Sequence, residues 1–474
     1  MYDVIIIGSG VVGASIAREL SRYKLQVLVL EKENDVGDGA SSANSAIIHS
    51  GYDPKPGTLK AKLNVEGNAM FDEICRDLDV EFKRIGSITL ASNDEEIEIL
   101  KSLEERSKIN GVSVQILNHD ELKKIEPNIT EEVKMGLLAP SAGIINPFEY
   151  VVAAMENAID NGVILKLSEM VIDIKKIDDH YQVITTKAMY DTKYVINASG
   201  VYSDKINEMV NPKSFSIRPR RGEYYVLDHF DNNYIKHVLF NVPTKKGKGV
   251  LVSPTTHYNY LVGPSSEFVE ELDDVSTDTE TLNEVKKQAT RLVDKIRYDK
   301  QIRVFAGNRA VGDRGDFIIE ETTPHFINVA GIESPGFVSS PAIAKMVSEM
   351  IKDKVPNPSY SPKRRPLIRL NEKSFEERQK LINENKLLGK IVCRCEKISE
   401  GEIIDVIHRS CGATTIKGVK KRVRPGFGKC QGGFCEALVL KILARELKKD
   451  PKDITYGKVN SYILEGKTKG EENE

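Results

Sequence analysis

Residues 2–20, YDVIIIGSGVVGASIAREL, join a strand pattern, a glycine-rich turn and a helix pattern without a break. Tyr2–Ile7 is an apolar, β-branched run of strand length, and the residues around Gly13 begin a segment with helical periodicity. Residues 26–31, QVLVLE, form a second apolar strand. The order strand, turn, helix, strand predicts a right-handed parallel βαβ unit and therefore an α/β fold.

The turn contains Gly8, Gly10 and Gly13 in the spacing G-x-G-x-x-G. Glycines at these positions allow a tight turn, close approach of the backbone to a pyrophosphate, and close packing of the helix on the strand. The helix N-terminus also offers free N–H groups to phosphates. Glu31 closes the second strand, where a carboxylate can bind ribose hydroxyls. We therefore predict dinucleotide binding; the alternative is a turn that serves helix packing alone.

Three later segments favour FAD over NAD as the dinucleotide. Residues 40–51, ASSANSAIIHSG, carry small hydroxyl and amide side chains that suit a loop along a pyrophosphate and a flavin. Residues 194–200, YVINASG, and 326–340, FINVAGIESPGFVSS, return to nucleotide-type patterns late in the chain. Gly331 ends a strand there and Gly336 opens a helix, whose N–H groups can face a flavin carbonyl. A simple NAD dehydrogenase would not need these extra elements.

Composition and charge narrow the class of protein. The chain has 474 residues and a formal net charge of −2, which gives no general attraction to nucleic acid. No run approaches eighteen consecutive apolar residues, so no membrane span is expected. The N-terminus enters a strand directly and lacks a signal-peptide pattern. These features predict a cytoplasmic protein, whose link to a membrane would come through a partner subunit.

Four cysteines lie in two close pairs near the C-terminal end, Cys393-x-Cys395 and Cys430-x4-Cys435. Four thiolates can hold a [2Fe–2S] cluster or a tetrahedral zinc ion. Zinc sites usually space their cysteine pairs as C-x2–4-C, so the tight first pair favours iron–sulfur over zinc and over free thiols. We expect the two remaining cysteines to be buried and unligated; they are Cys75 and Cys411.

A basic run precedes the second cysteine pair, and it has three interpretations. Positive charge near a reduced, anionic cluster raises its potential, a charge run can form a solvated surface, and it can dock an acidic electron partner. The run comprises Lys417, Lys420, Lys421, Arg422, Arg424 and Lys429.

The quoted segments, together with VINASGVYSD and NSAIIHSGYDPKPGTLKAKL, resemble the FAD-dependent D-amino-acid-oxidase superfamily over residues 1–350. Within it the chain resembles the glycerol-3-phosphate dehydrogenase (anaerobic type, large subunit) and L-2-hydroxyglutarate oxidase branches. Residues 391–445 resemble the bacterioferritin-associated-ferredoxin-like [2Fe–2S] domain. The resemblance implies a Rossmann-like FAD-binding domain interleaved with an α+β substrate domain that has an antiparallel sheet, plus a small, mostly helical [2Fe–2S] domain. It also implies hydride transfer from a C–H beside a hydroxyl to flavin N5.

We divide the chain into domains according to this resemblance and to a proline-rich stretch at residues 352–371, KDKVPNPSYSPKRRPLIRLN. We assign residues 1–355 to the oxidoreductase, with FAD binding at roughly 1–80, 145–210 and 300–355 and the substrate domain at roughly 81–144 and 211–299. Residues 356–390 are a linker, 391–450 the [2Fe–2S] domain, and 451–474 a tail, in which residues 466–474, GKTKGEENE, are expected to be frayed.

Residues expected to contact FAD lie in these motifs. They are Gly8, Gly10, Val12, Gly13, Glu31, Lys32, Ser41, Ser42, Asn44, Ser45, Val171, Ala198, Gly200, Gly307, Gly331, Pro335, Gly336 and Phe337.

Substrate recognition is expected to need arginine, which suits carboxylate or phosphate. By resemblance, Arg309 lies near the substrate anion, and Arg221 and Tyr224 start the substrate-sheet strand. His49 is the preferred catalytic base, because histidine titrates near neutral pH; its alternative role is to order the loop. Further candidates with less support are Arg218, Arg220, Arg303, Arg314, His257 and His325.

The predicted function is oxidation of sn-glycerol-3-phosphate to dihydroxyacetone phosphate, with electrons passed through the [2Fe–2S] centre to a protein or quinone acceptor. The glycerol-3-phosphate dehydrogenases carry a lysine soon after the late glycine motif, but here the first is Lys345. L-2-Hydroxyglutarate or another 2-hydroxy acid is therefore the alternative substrate. A non-catalytic electron-transfer subunit is the alternative of another class. The expected partners are a small anionic substrate and an electron-acceptor subunit, and the oligomeric state is left open.

Overall fold

The computed structural model describes residues 1–243 and 249–466. Of residues 466–474, which are predicted to be frayed, all except Gly466 lie outside the described residues. The described helices are α1 Val11–Leu20, α2 Leu59–Leu78, α3 Asp94–Asn110, α4 His119–Ile125, α5 Pro147–Asp160, α6 Ser203–Glu208, α7 Thr279–Ala289, α8 Gly336–Met350, α9 Phe375–Glu384, α10 Glu400–Ile407, α11 Ile416–Val423 and α12 Glu436–Leu447.

The first twelve strands run from the N-terminus to the middle of the chain. They are β1 Tyr2–Ile7, β2 Val27–Leu30, β3 Ile47–Ile48, β4 Phe82–Lys83, β5 Ser87–Ala91, β6 Gln115–Asn118, β7 Met135–Ala139, β8 Gly143–Ile145, β9 Ile164–Lys166, β10 Val171–Ile177, β11 His180–Thr185 and β12 Met189–Asn197.

The remaining strands follow in the second half. They are β13 Ile217–Leu227, β14 Val238–Asn241, β15 Leu251–Pro254, β16 Tyr260–Gly263, β17 Glu267–Phe268, β18 Gln301–Gly312, β19 Ile318–Thr323, β20 Phe326–Ala330, β21 Ile391–Cys393 and β22 Ile398–Ser399.

The first sheet confirms the predicted βαβ unit. Its path is β10-β11-β12-β1-β2-β9, and β20 joins at β12 and carries β19. β1 is parallel to both β2 and β12, and β20 is parallel to β12. Helices α1, α2, α5 and α8 pack into one apolar core on this sheet, which includes Ile6, Phe71 and Tyr150. Parallel strands that are apolar on both faces are typical of a sheet covered on both sides.

The second sheet is mostly antiparallel and contains β17-β13-β16-β15-β14-β5-β7-β6, with β18 on β13. β18 pairs with β13 along its length, from Ile217 opposite Gly312 to Leu227 opposite Gln301. The sequence division placed residues 300–355 with the cofactor-binding part, and the structure corrects this for β18. Two long strands can satisfy their backbone groups continuously by pairing, and this holds β18 in the second sheet.

The C-terminal region is small and mainly helical, as expected. Helices α10, α11 and α12 enclose an apolar core that includes Ile403, Val419 and Leu443. Helix α10 begins with a capping box, because Ser399 and Glu402 exchange hydrogen bonds with each other's backbone N–H groups. The predicted α/β architecture with a helical third part is therefore confirmed.

The predicted linker is held against the first part of the molecule over much of its length. The carbonyl oxygens of Ser361 and Lys363 accept hydrogen bonds from Asn157, and Arg364 forms a buried ion pair with Glu156. Arg369 pairs with Asp79 and Glu149. The segment therefore acts as a strap that fixes the C-terminal region, and its prolines suit an extended path of this kind.

Candidate functional site

A cavity of about 1550 Å³ opens where the two sheets meet. Its walls include Gly8, Glu31 and Ala198, which follow or end strands β1, β2 and β12. Tyr224 and Arg309 from β13 and β18 form the opposite wall. The carboxyl ends of parallel strands therefore face the second sheet across one space, which is the place where α/β folds bind ligands.

Glu31 organises the dinucleotide end of the cavity. Its carboxylate accepts hydrogen bonds from the backbone N–H and the hydroxyl of Ser9, both at 2.8 Å, and from the N–H of Glu33 at 3.0 Å. Burial raises the pKa of Glu31, although these hydrogen bonds oppose the shift. Ser41 completes the turn, because its hydroxyl accepts from the N–H of Val11 at 2.8 Å.

At the dinucleotide end of the cavity, the backbone segments around Gly8 lie very close to one another, as binding of a dinucleotide requires. A Cβ at position 13 would lie 2.0 Å from the carbonyl oxygen of Gly8. A Cβ on Gly8, whose φ is +98°, would lie 2.6 Å from the carbonyl oxygen of Ala198. Only glycine avoids both clashes, and the turn can therefore place the start of α1 directly at the cavity wall. These residues fit the predicted FAD pyrophosphate.

Most of the residues predicted from sequence to bind FAD line this cavity. The exceptions are Gly13, which lies behind Gly8, and Gly331, whose backbone packs on Gly312. Gly307 forms a further close contact, because a Cβ there would lie 2.4 Å from the carbonyl oxygen of Ala43. The loop at residues 40–45 is therefore clamped between the turn and strand β18.

The substrate-sheet end of the cavity brings together Tyr224 and Arg309. The Tyr224 hydroxyl lies 2.9 Å from the Ser45 hydroxyl, and its ring stacks on Phe305 with centroids 4.7 Å apart. Arg309 donates from Nη2 to the carbonyl oxygen of Ser265 at 2.8 Å and from Nε to that of Arg220 at 3.2 Å. Burial lowers the pKa of Arg309, but the guanidinium remains a fixed cation in the cavity wall.

His49 lies on another wall of the same cavity and is half-buried. Its carbonyl oxygen accepts hydrogen bonds from Asn64 at 2.7 Å and Asn68 at 3.0 Å, both on α2. Its ring lies 5.9 Å from that of Phe240. The backbone of His49 is thus anchored, and the residue lines the same cavity as Arg309.

The structure corrects the placement of Arg221. Along β13, Arg220, Gly222 and Tyr224 line the cavity, and Arg221 points away because side chains alternate across a strand. Arg221 instead pairs with Asp274 at 2.7 Å and Glu223 at 3.3 Å. The period of two in IRPRRGEYYVL could have revealed this from the sequence.

Sequence reasoning missed an ionic group beside Arg220. Glu333 pairs with Arg220 and with Lys60, whose Nζ lies 2.8 Å from Glu333 Oε1. All three residues line the cavity. No local motif marks them, because they come from a strand, a helix and a loop that lie far apart in the chain.

The four predicted cysteines gather in two pairs that cross the two sequence motifs. Cys395 Sγ lies 3.7 Å from Cys430 Sγ, and the Cys393 and Cys435 thiols are close enough for each to shift the pKa of the other. A tetrahedral metal with bonds of about 2.3 Å to sulfur sets two of its sulfurs about 3.8 Å apart. Within residues 1–243 and 249–466, no three His, Cys, Asp or Glu side chains meet around a single metal position. Two sulfur pairs suit the two irons of a [2Fe–2S] cluster.

Backbone N–H groups surround these sulfurs. The neighbouring Cys435 thiol, helped by the N–H groups of Glu396 and Gly426, lowers the pKa of Cys393 to about 6. Desolvation works against ionisation of Cys430, but N–H groups of Gly432 and Phe434 contribute to a lowered pKa. Such donors stabilise thiolates and the negative charge of a cluster. Cys75 and Cys411 are buried away from these pairs, as expected.

The basic run has a role that none of its three interpretations described. Arg422 pairs with Asp35 through two bonds of 2.9 Å, and Lys421 Nζ lies 2.6 Å from Asp38 Oδ1. Lys417 reaches Asp38 at 2.9 Å. Lys421 and Arg422 are buried, so this part of the run is an interface with the first domain and not a solvated surface.

The same interface brings the cysteine region to the cavity. Arg424, Phe427 and Gln431, from the loop before Cys435, contribute to the cavity wall. The Phe427 ring lies 5.4 Å from that of Phe148, at the start of α5. Arg424 connects Glu396 at 2.8 Å with Asn259 at 3.5 Å. One cavity therefore extends from the dinucleotide turn to the loop that carries the cysteines.

His257, a weaker candidate, lies near this junction. Its Nδ1 is 3.1 Å from Glu81 Oε2, and its Nε2 is 3.3 Å from the Asn146 amide. Burial, with the charges of Arg424 and Lys83, holds its pKa far below the ordinary value. His257 is therefore neutral and fixes neighbouring segments. His325, another weak candidate, stacks on Tyr194 at 4.4 Å and lies outside the cavity lining.

Residues 3–350 match the family of FAD dependent oxidoreductases (DAO), and residues 391–445 match the BFD-like [2Fe-2S] binding domain. The chain belongs to this family of FAD-dependent oxidoreductases, and its cofactors are FAD and a [2Fe–2S] cluster. Both cofactor predictions are confirmed.

Individual relatives give a more specific similarity than the family match does. The glycerol 3-phosphate dehydrogenase of Caloramator mitchellensis is 50% identical and covers 99% of this chain and 100% of its own. The glycerol 3-phosphate oxidase of Mycoplasma genitalium is 35% identical over 76% of this chain and 98% of its own. The structure of dithionite-reduced L-alpha-glycerophosphate oxidase from Mycoplasma pneumoniae with FAD bound has a TM-score of 0.74 at 30% identity, covering 77% of this chain and 99% of that one. In the part of the chain that is described, no helix has the length and apolarity needed to cross a membrane.

Proposed function

We propose that the enzyme oxidises sn-glycerol-3-phosphate to dihydroxyacetone phosphate and releases the two electrons one at a time to an acceptor protein or quinone. The single observation that carries this proposal is the continuous cavity, which has Arg309 and His49 on its walls and reaches Phe427 of the cysteine loop. The relative from Caloramator mitchellensis, which is 50% identical and matches 99% of this chain, is named a glycerol 3-phosphate dehydrogenase.

Arg309 is proposed to hold the substrate anion. Its Nε and Nη2 are fixed by carbonyl oxygens, so the guanidinium keeps one orientation in the cavity wall. A buried guanidinium binds phosphate strongly because its hydrogen bonds are charge-assisted. Arg220 is already neutralised by Glu333, which leaves Arg309 as the better-placed cation of the two.

His49 is proposed to take the hydroxyl proton of the substrate. An imidazole can accept that proton near neutral pH, while its anchored backbone holds the ring at the cavity wall. When bound, FAD supplies a hydride acceptor at N5 and the [2Fe–2S] cluster a one-electron carrier. The overall reaction is sn-glycerol-3-phosphate plus two oxidised one-electron acceptors, giving dihydroxyacetone phosphate, two reduced acceptors and two protons.

The proposal also covers location and partners. None of the six cysteines, all of which lie in the described residues, forms a disulfide, which suits the reducing cytoplasm. An acceptor subunit would take the electrons that leave the cysteine region, and any membrane association would come through that subunit.

Anaerobic mixing of the purified enzyme with candidate substrates tests the function. sn-Glycerol-3-phosphate is expected to bleach the flavin absorbance, whereas L-2-hydroxyglutarate is not. Bleaching by L-2-hydroxyglutarate alone would overturn the choice of substrate. Turnover unaffected by both His49→Ala and Arg309→Ala would instead indicate a non-catalytic electron-transfer subunit.

A further inference from the structure

The cysteine site has an inner and an outer side. Cys393 and Cys435 are 1% and 2% exposed, whereas Cys395 is exposed and Cys430 is half-buried. The loop that carries Phe427 faces the cavity. The edge held by Cys395 and Cys430 therefore reaches solvent and can release electrons to another molecule.

An exposed aromatic ring lies beside this edge. Phe434 is 84% exposed, the most exposed phenylalanine among the described residues, and it directly precedes Cys435. Leu438, one turn further along α12, is 45% exposed. The backbone N–H of Phe434 serves Cys430, but that contact needs no phenyl ring. Aromatic side chains are enriched at the centres of protein–protein interfaces.

Three cations flank the same cysteines. Arg394 lies between Cys393 and Cys395, and Lys397 and Lys429 lie within two residues of a cysteine. All three are exposed, and their side chains form no ion pair with any residue of the described ranges. The other basic residues nearby are already paired, since Arg424 binds Glu396 and Arg422 binds Asp35. The cysteines of the exposed edge therefore have three exposed cations close to them in the chain, none of which is in an ion pair within the described ranges.

We propose that the surface formed by Arg394, Lys397, Lys429, Phe434 and Leu438, here called the exit surface, docks a small acidic one-electron carrier protein. The inference rests on the proposed function, because it concerns where those electrons leave. One electron passes from the reduced cluster to the oxidised centre of the carrier, and no proton or bond is transferred. An apolar centre with a charged rim is typical of small transient interfaces.

A membrane surface is the less favoured occupant. Helix α12 buries Val439, Leu440 and Leu443 in the core of its own domain, and only a short apolar stretch is left outside. Stable binding to a bilayer takes a larger apolar face or several basic residues on one helix. A carrier protein needs less contact area, and charge complementarity speeds its encounter.

The test compares two haem-protein probes with the complete, FAD- and iron-loaded enzyme. Cytochrome b5 (soluble domain) is acidic, cytochrome c is basic, and both accept one electron. The exit variant is R394E/K397E/K429E, and its matched control is K363E/K373E/K380E, which reverses three exposed cations elsewhere. Phe434→Ala is compared with Phe375→Ala, since Phe375 is 71% exposed on α9. A small dye, dichlorophenolindophenol, measures substrate oxidation independently of any docking.

The wild-type enzyme is expected to reduce cytochrome b5 faster than cytochrome c at low salt, and this preference should fall as ionic strength rises. In the exit variant, the ratio of the cytochrome b5 rate to the dye rate is expected to fall about tenfold or more. In the control variant, this ratio is expected to stay the same. Phe434→Ala should lower the ratio of the cytochrome b5 rate to the dye rate, with the dye rate measured at saturating dye. Phe375→Ala should leave this ratio unchanged.

Equal losses in the exit and control variants, or no salt dependence, would overturn the proposal. A membrane role would also overturn it. In that case the wild-type enzyme would bind phosphatidylserine vesicles, and the exit variant would lose this binding but keep its preference for cytochrome b5. A failure to oxidise sn-glycerol-3-phosphate with the dye would contradict the proposed function instead, and the two failures are therefore distinguishable. Iron content is measured in every variant, so that a lost cluster is not mistaken for lost docking.

Discussion

Arg422 and Asp35 form a two-point ion pair between the cysteine domain and the loop that follows β2. Arg422 Nη1 lies 2.9 Å from Asp35 Oδ2, and Arg422 Nη2 lies 2.9 Å from Asp35 Oδ1. The loop continues through Gly37, whose N–H donates to the carbonyl oxygen of Ser9, to residues 40–45, which line the cofactor end of the cavity. The position of the iron–sulfur domain is therefore coupled to the loop that faces FAD.

Removing the charge of Asp35 is expected to destabilise this interface. Asp35→Asn leaves the Arg422 guanidinium buried without its partner, which costs about 3–5 kcal/mol in comparable buried pairs. Denaturant unfolding of the loaded enzyme, followed by circular dichroism, measures the change. The control is Glu98→Gln, which breaks the exposed Glu98–Lys101 pair and should cost less than about 1 kcal/mol. Similar effects of the two substitutions would contradict the interface role.

The contribution of Asp35 should disappear in acid. Burial alone would raise its pKa, but the charges of Arg422 and Lys421 outweigh burial and hold the pKa well below the ordinary value of 3.8. A carboxyl group with a depressed folded pKa contributes stability above its unfolded pKa and loses it as the pH falls toward the folded value. The stability difference between the wild type and Asp35→Asn should therefore be constant above about pH 5 and shrink below about pH 4. A difference that grows on acidification would refute this assignment.

Gly307 should be intolerant of even a methyl group. Its Cβ would lie 2.4 Å from the carbonyl oxygen of Ala43 and 2.5 Å from the Ala43 Cβ, so Gly307→Ala must displace the 40–45 loop. Overpacking of this kind costs about 1–3 kcal/mol, and we expect FAD to be partly lost on purification. Gly39→Ala is the matched control in the same loop, because a Cβ there meets nothing within 4 Å. The flavin-to-protein absorbance ratio checks both; equal FAD contents would argue against the clamp.

His49→Asn should separate chemistry from cofactor binding. If His49 accepts the substrate proton, its loss is expected to slow flavin reduction by about 10²–10⁴-fold while FAD stays bound. His325→Asn is the control, because His325 stacks on Tyr194 away from the cavity lining. Anaerobic stopped-flow absorbance measures the reduction rate. A change of less than about threefold for His49→Asn would assign that histidine to ordering the loop.

Local patterns in the sequence revealed much of this architecture. The turn at Gly8, the carboxylate of Glu31 and the cysteine pairs are each encoded within a few dozen residues, and each lies where the pattern indicated. The helix pattern that begins around Gly13 is likewise observed, as helix α1, Val11–Leu20.

Contacts between distant segments could not be derived in the same way. Asp35 and Arg422 are separated by 387 residues, and nothing near either residue indicates that both are buried together. The ion pairs of Lys60 and Arg220 with Glu333 are equally long-range. Periodicity reports which face of a strand is polar, but tertiary packing decides which cation meets which anion.

Anaerobic rapid mixing with sn-glycerol-3-phosphate, followed by flavin absorbance and by electron paramagnetic resonance of frozen samples, decides whether the two centres form one electron route. We predict that the flavin is bleached first and that the signal of a reduced [2Fe–2S] cluster then appears at least as fast as the enzyme turns over. Complete flavin reduction with a cluster that stays oxidised, or zinc in place of iron in anaerobically prepared protein, would contradict this account.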